Sequence, residues 1–175
     1  MPKKDLRILE AAIKMEQDGR NFYLKSSKSA KNTVAKRLFA SLADEELKHI
    51  ERIKEIYKGL KEDKDWVDFG KTISKTAKAK LRLVFRPLSC AEKKRLKADP
   101  SNLEALKISM KKERDSYDYY DRQSKDTGVR IAKVFYERLK KEEERHYELL
   151  EEAYSLLSDP ASWFVTKEGR VMEAG

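Results

Sequence analysis

A chain of 175 residues fits one domain and is long enough to enclose a sizeable core. Charged residues make up 41% and apolar residues 39%, with only 6 Gly and 4 Pro, a balance that favours long amphipathic helices over a turn-rich sheet protein. Cys90 stands alone, which excludes an internal disulfide and a thiolate cluster and points to a reducing cytoplasm. No stretch approaches the roughly 20 apolar residues of a membrane span. The opening MPKKDLRILEAAIKMEQDG lacks both an unbroken apolar run and a small-residue cleavage site, so a soluble chain without a signal peptide or membrane contact is expected.

Four segments carry helical periodicity. The first runs from about Asp5 to Lys28, with Leu6, Leu9, Ala12, Ile13, Phe22 and Tyr23 at helical spacing. The second runs from about Thr33 to Leu60 on Val34, Leu38, Leu42, Ile50, Ile53 and Tyr57. Some 40 residues, 61–100, then form a crossover too long for a tight turn, in which Ile73, Ala77, Leu81 and Val84 predict a short amphipathic helix. The third helix is predicted to start near Ser101, behind Pro100, with Ser101 and Glu104 as a capping box, and to reach about Lys125. The fourth runs from about Val129 to Leu157, stopped by Ser158-Asp159-Pro160. Short turns at Ser29–Asn32 and Asp126–Gly128 make each pair an antiparallel hairpin. The expected fold is all-α: a four-helix bundle over 1–157, with hairpins at 5–60 and 101–157, a crossover at 61–100 and a tail at 158–175. In the tail, Trp163 and Phe164 are expected to clamp onto the bundle or a second subunit, and Trp66 and Phe69 to cover an opening.

The net charge of +9 is concentrated in the crossover. Between Lys71 and Lys97 there are ten Lys/Arg and one acid, Glu92, an excess equal to that of the whole chain. Such a block can steer an acidic partner, although a solvated lysine-rich face is the plainer reading. It holds one aromatic residue, Phe85, so base stacking is poorly served and nucleic-acid binding is disfavoured.

A shift of 97 residues lays the first hairpin on the second without a gap. Over 6–60 against 103–157, 18 of 55 positions are identical, among them Glu16/Glu113, Tyr23/Tyr120, Leu42/Leu139, Glu46/Glu143, His49/His146 and Tyr57/Tyr154. Shared Lys/Glu composition accounts for surface matches, but not for one register held through two helices and their turn. The chain is therefore an internal duplication, suited to a bundle with pseudo-two-fold symmetry.

The only two histidines each follow a glutamate by three residues, in Glu46-Leu47-Lys48-His49 and Glu143-Glu144-Arg145-His146. That spacing puts both side chains on one helix face. Leu38, Leu42 and Ile53 flank the first pair, and Phe135, Leu139 and Leu150 the second, so Glu46 and Glu143 fall on the inward stripe. Glu16 interrupts the apolar stripe of the first helix, as Glu113 does that of the third. Four ionised carboxylates in one core would repel one another and be costly to desolvate. Two divalent cations would cancel their four negative charges. Four Glu and two His, with a Glu-x-x-His on two of the helices, is the carboxylate di-metal pattern, and such ligation suits iron or manganese.

The passage VAKRLFASLADEELKHIERI resembles the helix 2 signature of the ferritin-like di-iron superfamily, most closely its rubrerythrin-related members. MEQDGRNFY and KERDSYDYY resemble their helix 1 and helix 3 ligand segments, and the resemblance spans residues 6–157. It implies terminal ligands Glu16 and Glu113, bridging Glu46 and Glu143, and one histidine per metal. Tyr23 and Tyr120 match tyrosines beside the metals in such proteins, where they pack in the core or act in redox chemistry. Two departures stand out. Typical rubrerythrins carry a rubredoxin-like domain whose iron needs four cysteines, which a single Cys rules out, so the electron donor is a separate molecule. Rubrerythrins also use an extra glutamate three residues after the helix 3 ligand, where this chain has Ser116.

The expected function is a di-iron or di-manganese redox enzyme that reduces hydrogen peroxide or oxygen. Tyr23 and Tyr120 are its candidate hydrogen-bond donors, and an acidic electron-donor protein docks on residues 71–97. The alternative is a ferroxidase or iron-storage protein of the ferritin type. A homodimer is expected, whereas a large shell would mark the storage alternative.

Overall fold

The computed structural model describes residues 2–62, 64–66, 96 and 99–165. Four long helices carry the fold: α1 (Pro2–Ser29), α2 (Thr33–Lys61), α3 (Pro100–Asp126) and α4 (Arg130–Ser158). The helix predicted around Ile73–Val84, the basic stretch from Lys71 to Lys97, Cys90 and Phe69 lie outside the described residues.

Local chemistry sets the helix ends. Asn32, in extended conformation, caps α2 by accepting from the backbone N–H of Val34 at 2.8 Å and of Ala35. The capping box expected at Ser101 and Glu104 is not formed. Asp99 is the N-cap instead, accepting from the N–H groups of Ser101 and Asn102 at 3.0 and 3.2 Å. Pro100 explains the difference: its fixed φ suits the first helical position, which moves the cap one residue before it. Val129, the counterpart of Asn32 in the repeat, caps α4 without a side-chain hydrogen bond.

Each helix points one stripe inward, and the stripes form two apolar clusters. One contains Tyr23, Leu38, Phe39, Leu42, Leu106, Leu150 and Leu156; the other contains Leu9, Ile53, Ile56, Tyr120, Phe135, Tyr136 and Leu139. Along every helix the members of one cluster come before the inward glutamate and those of the other after it. The order reverses between α1 and α2 and between α3 and α4, as antiparallel hairpins require. Tyr57 on α2 reaches back to Glu10 on α1 at 2.6 Å, and Lys140 on α4 to Asp121 on α3 at 3.0 Å. The bundle is thus two dry halves with a polar layer between them.

Trp66 is buried beside Phe135 and Tyr136, with ring centroids 6.0 and 5.7 Å away, so the chain leaving α2 seals one end of the bundle. After α4 a short helix at 160–165 carries Trp163 and Phe164, which pack against the opposite apolar half. That matches the expected clamp. No helix among the described residues is long and apolar enough to cross a membrane.

Candidate metal centre

The inward stripe is interrupted at one level on all four helices. α1 contributes Glu16, α2 Glu46 and His49, α3 Glu113, and α4 Glu143 and His146, all of them at most 3% exposed. Fully burying one leucine stabilises a fold by about 1.5–3 kcal/mol. Burying one uncompensated carboxylate costs several kcal/mol. Four acids at this level must therefore be compensated by their neighbours or by cations.

The six side chains predicted from the sequence meet in one cluster. His49 Nδ1 lies 3.2 Å from Glu143 Oε1, 3.3 Å from Glu16 Oε2 and 3.6 Å from Glu46 Oε2. His146 Nδ1 lies 3.4 Å from Glu113 Oε2 and 3.8 Å from both Glu46 Oε1 and Glu143 Oε2. Glu46 and Glu143 thus each turn one oxygen toward each imidazole, which is how a bridging carboxylate is disposed. Glu16 faces His49 alone, and Glu113 faces His146 alone. The two rings lie 5.6 Å apart and nearly parallel.

These donors fit a pair of cations. Glu46, Glu113, Glu143 and His146 form one group whose ligand atoms converge closely enough to hold an ion, and Glu16, His49 and Glu143 form another. Glu113 Oε2, Glu143 Oε1 and His146 Nδ1 are buried without a hydrogen-bond partner, an arrangement rare in protein interiors unless something else satisfies the atoms. Oxygen donors with two imidazoles suit iron or manganese.

The four acids are shifted in opposite directions. Burial raises Glu16, but contacts from Glu46, His49 and Tyr120 bring it down to about 2. Glu113 is likewise raised by burial and brought below the ordinary range by His146, Glu143 and Tyr23. Glu46 is pushed well up by burial and then by Glu16 and Glu143; Glu143 by burial and then by Glu16 and Glu113. Glu16 and Glu113 are thus held below the ordinary carboxylate range, and Glu46 and Glu143, which lie between the two imidazoles, above it.

Tyr23 and Tyr120 bond across the bundle. The Tyr23 hydroxyl donates to Glu113 and the Tyr120 hydroxyl donates to Glu16, each phenol serving the glutamate of the other hairpin. Burial and the surrounding carboxylates push both phenols far above 10, so they remain protonated donors.

Two contributors escaped the sequence reading. Glu142, only 6% exposed, accepts from His49 Nε2 at 2.7 Å and from an Arg52 guanidinium nitrogen at 3.1 Å. Burial raises Glu142, but His49 and Arg52 hold it at about 2. Burial lowers His49, but Glu16, Glu142 and Glu143 raise it well above 6.5. Within Lys140-Lys141-Glu142-Glu143-Glu144-Arg145 an extra acid reads as solvated surface. The signal that marks it is its identity with Glu45 in the repeat, one residue before each inward glutamate.

A cleft of about 340 Å³ opens between α1 and α3 and ends on Glu46, Glu113 and Tyr23. Gly19 and Ser116, equivalent positions of the repeat, both line it. A Cβ at Gly19 would sit 3.8 Å from the Glu46 carboxyl carbon, so small side chains here keep the cleft open down to the acids.

The sequence model of the rubrerythrin family matches residues 7–154. No curated protein and no solved structure gives a significant match. That match spans all four helices and all six clustered residues, and the family implies a di-iron site: the chain belongs to the rubrerythrin family of ferritin-like di-iron carboxylate proteins.

Proposed function

We propose that the protein is a redox enzyme that reduces hydrogen peroxide or oxygen with electrons from a separate donor. The observation that carries this reading is the cleft, which leads from the surface to two of the proposed ligands and a buried phenol donor. Glu16, Glu46, His49, Glu113, Glu143 and His146 would hold two iron ions, with manganese the other metal that suits them. Bound iron supplies Lewis acidity and electrons taken up from the donor. The chain's own part is to orient the site and keep it dry. Tyr23 and Tyr120 hold the terminal glutamates, Glu142 holds the His49 ring, and the two apolar halves exclude water from above and below. Reducing one hydrogen peroxide to two waters takes two electrons and two protons, and the cleft is the route by which oxidant and protons arrive. The donor in this reading is an acidic protein that docks on the basic stretch 71–97, and the active form is a homodimer.

Metal-loaded, reduced protein mixed with hydrogen peroxide should oxidise and consume about one peroxide per two electrons. Iron that stays reduced in the presence of both peroxide and oxygen sinks the proposal. Donor-driven turnover should slow as salt is raised, because exposed charge pairs are screened over about 10 Å at 0.1 M. The ferritin-type reading draws on Asp18 and Asp115 in the cleft, which could lead ferrous ions inward. Size-exclusion chromatography separates the two: a large shell supports storage, and a dimer supports the enzyme.

A further inference from the structure

The duplication makes the two halves of the cluster chemical copies, so differences between them are informative. His49 and His146 are equivalent residues, but their outer nitrogens are treated differently. His49 Nε2 bonds to the buried Glu142, which is also held by Arg52. In the other half the counterpart of Glu142 is Glu45, which is buried but turns back to Lys48 on its own helix. The counterpart of Arg52 is Leu149. Among the described residues, every carboxylate paired with His146 meets it through Nδ1 and none through Nε2. A carboxylate on the outer nitrogen fixes the ring's tautomer and orientation and makes its inner nitrogen a better donor. Among the described residues, only the His49 half has that support.

Access differs in the same sense. The cleft between α1 and α3 is lined by Glu46, which faces both imidazoles, and by Glu113, which faces His146 alone; Glu16 and the two histidines do not line it. The half that lacks the brace is thus the one whose own glutamate, Glu113, lines this cleft.

We propose that the two metal positions are functionally distinct: the Glu16–His49 position is the tight, resident one, and the Glu113–His146 position is the weaker, exchangeable one that meets incoming ligands. Glu142 and Arg52 are the positioning residues that create the difference. This rests on the metal-centre reading above and adds an order of loading to it. The asymmetry also bears on function, since a permanently held ion beside an exchangeable one suits a centre that admits either an oxidant or a ferrous ion at one end.

The test is equilibrium dialysis of the metal-free full chain against ferrous ion under anaerobic conditions. Two ions should bind with separable affinities. Glu142→Gln should weaken the tighter step by about 10–100-fold, the usual cost of losing such support, and leave the weaker step in place. Glu45→Gln should move neither. Arg52→Leu copies the residue of the other half at a partly exposed position and keeps the test available if Glu142→Gln fails to fold; it should shift the tighter step in the same direction. Gly19→Leu, which fills the cleft, should slow chelator removal of one ion and not of the other. Two indistinguishable steps in the unaltered chain, or equal effects of Glu142→Gln and Glu45→Gln, would overturn the inference while leaving a metal centre standing. Failure to bind any ion would remove both.

Discussion

The crossed tyrosines allow a sharp test of how the polar layer is held. Glu16 and Tyr23 lie seven residues apart on α1, about 10 Å along the axis, so they cannot bond to each other. Because α1 and α3 run antiparallel, Tyr120 comes opposite Glu16 and Tyr23 opposite Glu113. A hydrogen bond to a charged group contributes about 1.5–3 kcal/mol, and removing the donor leaves a buried carboxylate oxygen unsatisfied. Tyr120→Phe should therefore lower the unfolding free energy of the metal-free chain by about 1.5–3 kcal/mol in urea titrations followed by helical circular dichroism. With Glu16→Gln already in place the bond is neutral and contributes only about 0.5–1.5 kcal/mol, so a double-mutant cycle should return a coupling of about 1 kcal/mol. The cycle between Tyr120 and Glu113, which share a helix and make no hydrogen bond, should stay within the ~0.5 kcal/mol scatter of independent sites. Coupling of Tyr120 to Glu113 instead of Glu16 would refute the antiparallel register on which the site is built.

Metal loading should release protons. Glu46, Glu143 and His49 all have their pKa values raised in the metal-free protein, so they still carry protons when their unperturbed counterparts would have lost them. Bound cations displace those protons, and affinity should rise with pH by up to about tenfold per unit for each proton displaced, until the raised pKa values are passed. Adding ferrous ion in weak buffer under a pH electrode measures this directly, and no acidification would contradict the charge assignment. At the start of α3, Asp99→Ala should cost about 1 kcal/mol of stability, since it frees two backbone N–H groups; its exposed pair with Lys31 at 3.1 Å adds little. Ser101→Ala should cost less in the same denaturation assay, because the Asp99 cap survives it.

Helical period and duplication made much of the molecule legible in advance. The apolar spacing around Leu38, Leu42 and Ile53 is enough to turn Glu46 inward, because 3.6 residues per turn leaves one face for all of them. At the start of α3, Ser-x-x-Glu and Asp-Pro-Ser are competing start signals, and only the backbone shows that Asp99 takes the free N–H groups. Glu142 was hidden for a different reason: an acid in a run of charges looks solvated until a partner on another helix is seen.

The amino-acid sequence alone determined the approximate extent of the four long helices, which face of each is buried, and which six side chains break the apolar stripe. These are properties of one helix at a time, set by a period that the chain itself carries. Tertiary structure decided what lies across the gap: that Tyr23 serves Glu113, that Glu46 and Glu143 divide their oxygens between two imidazoles, and that Glu142 braces His49 while Glu45 turns away from His146. Those pairings depend on how far one helix slides past another. That register is set by packing of the two apolar halves together, and no local spacing encodes it.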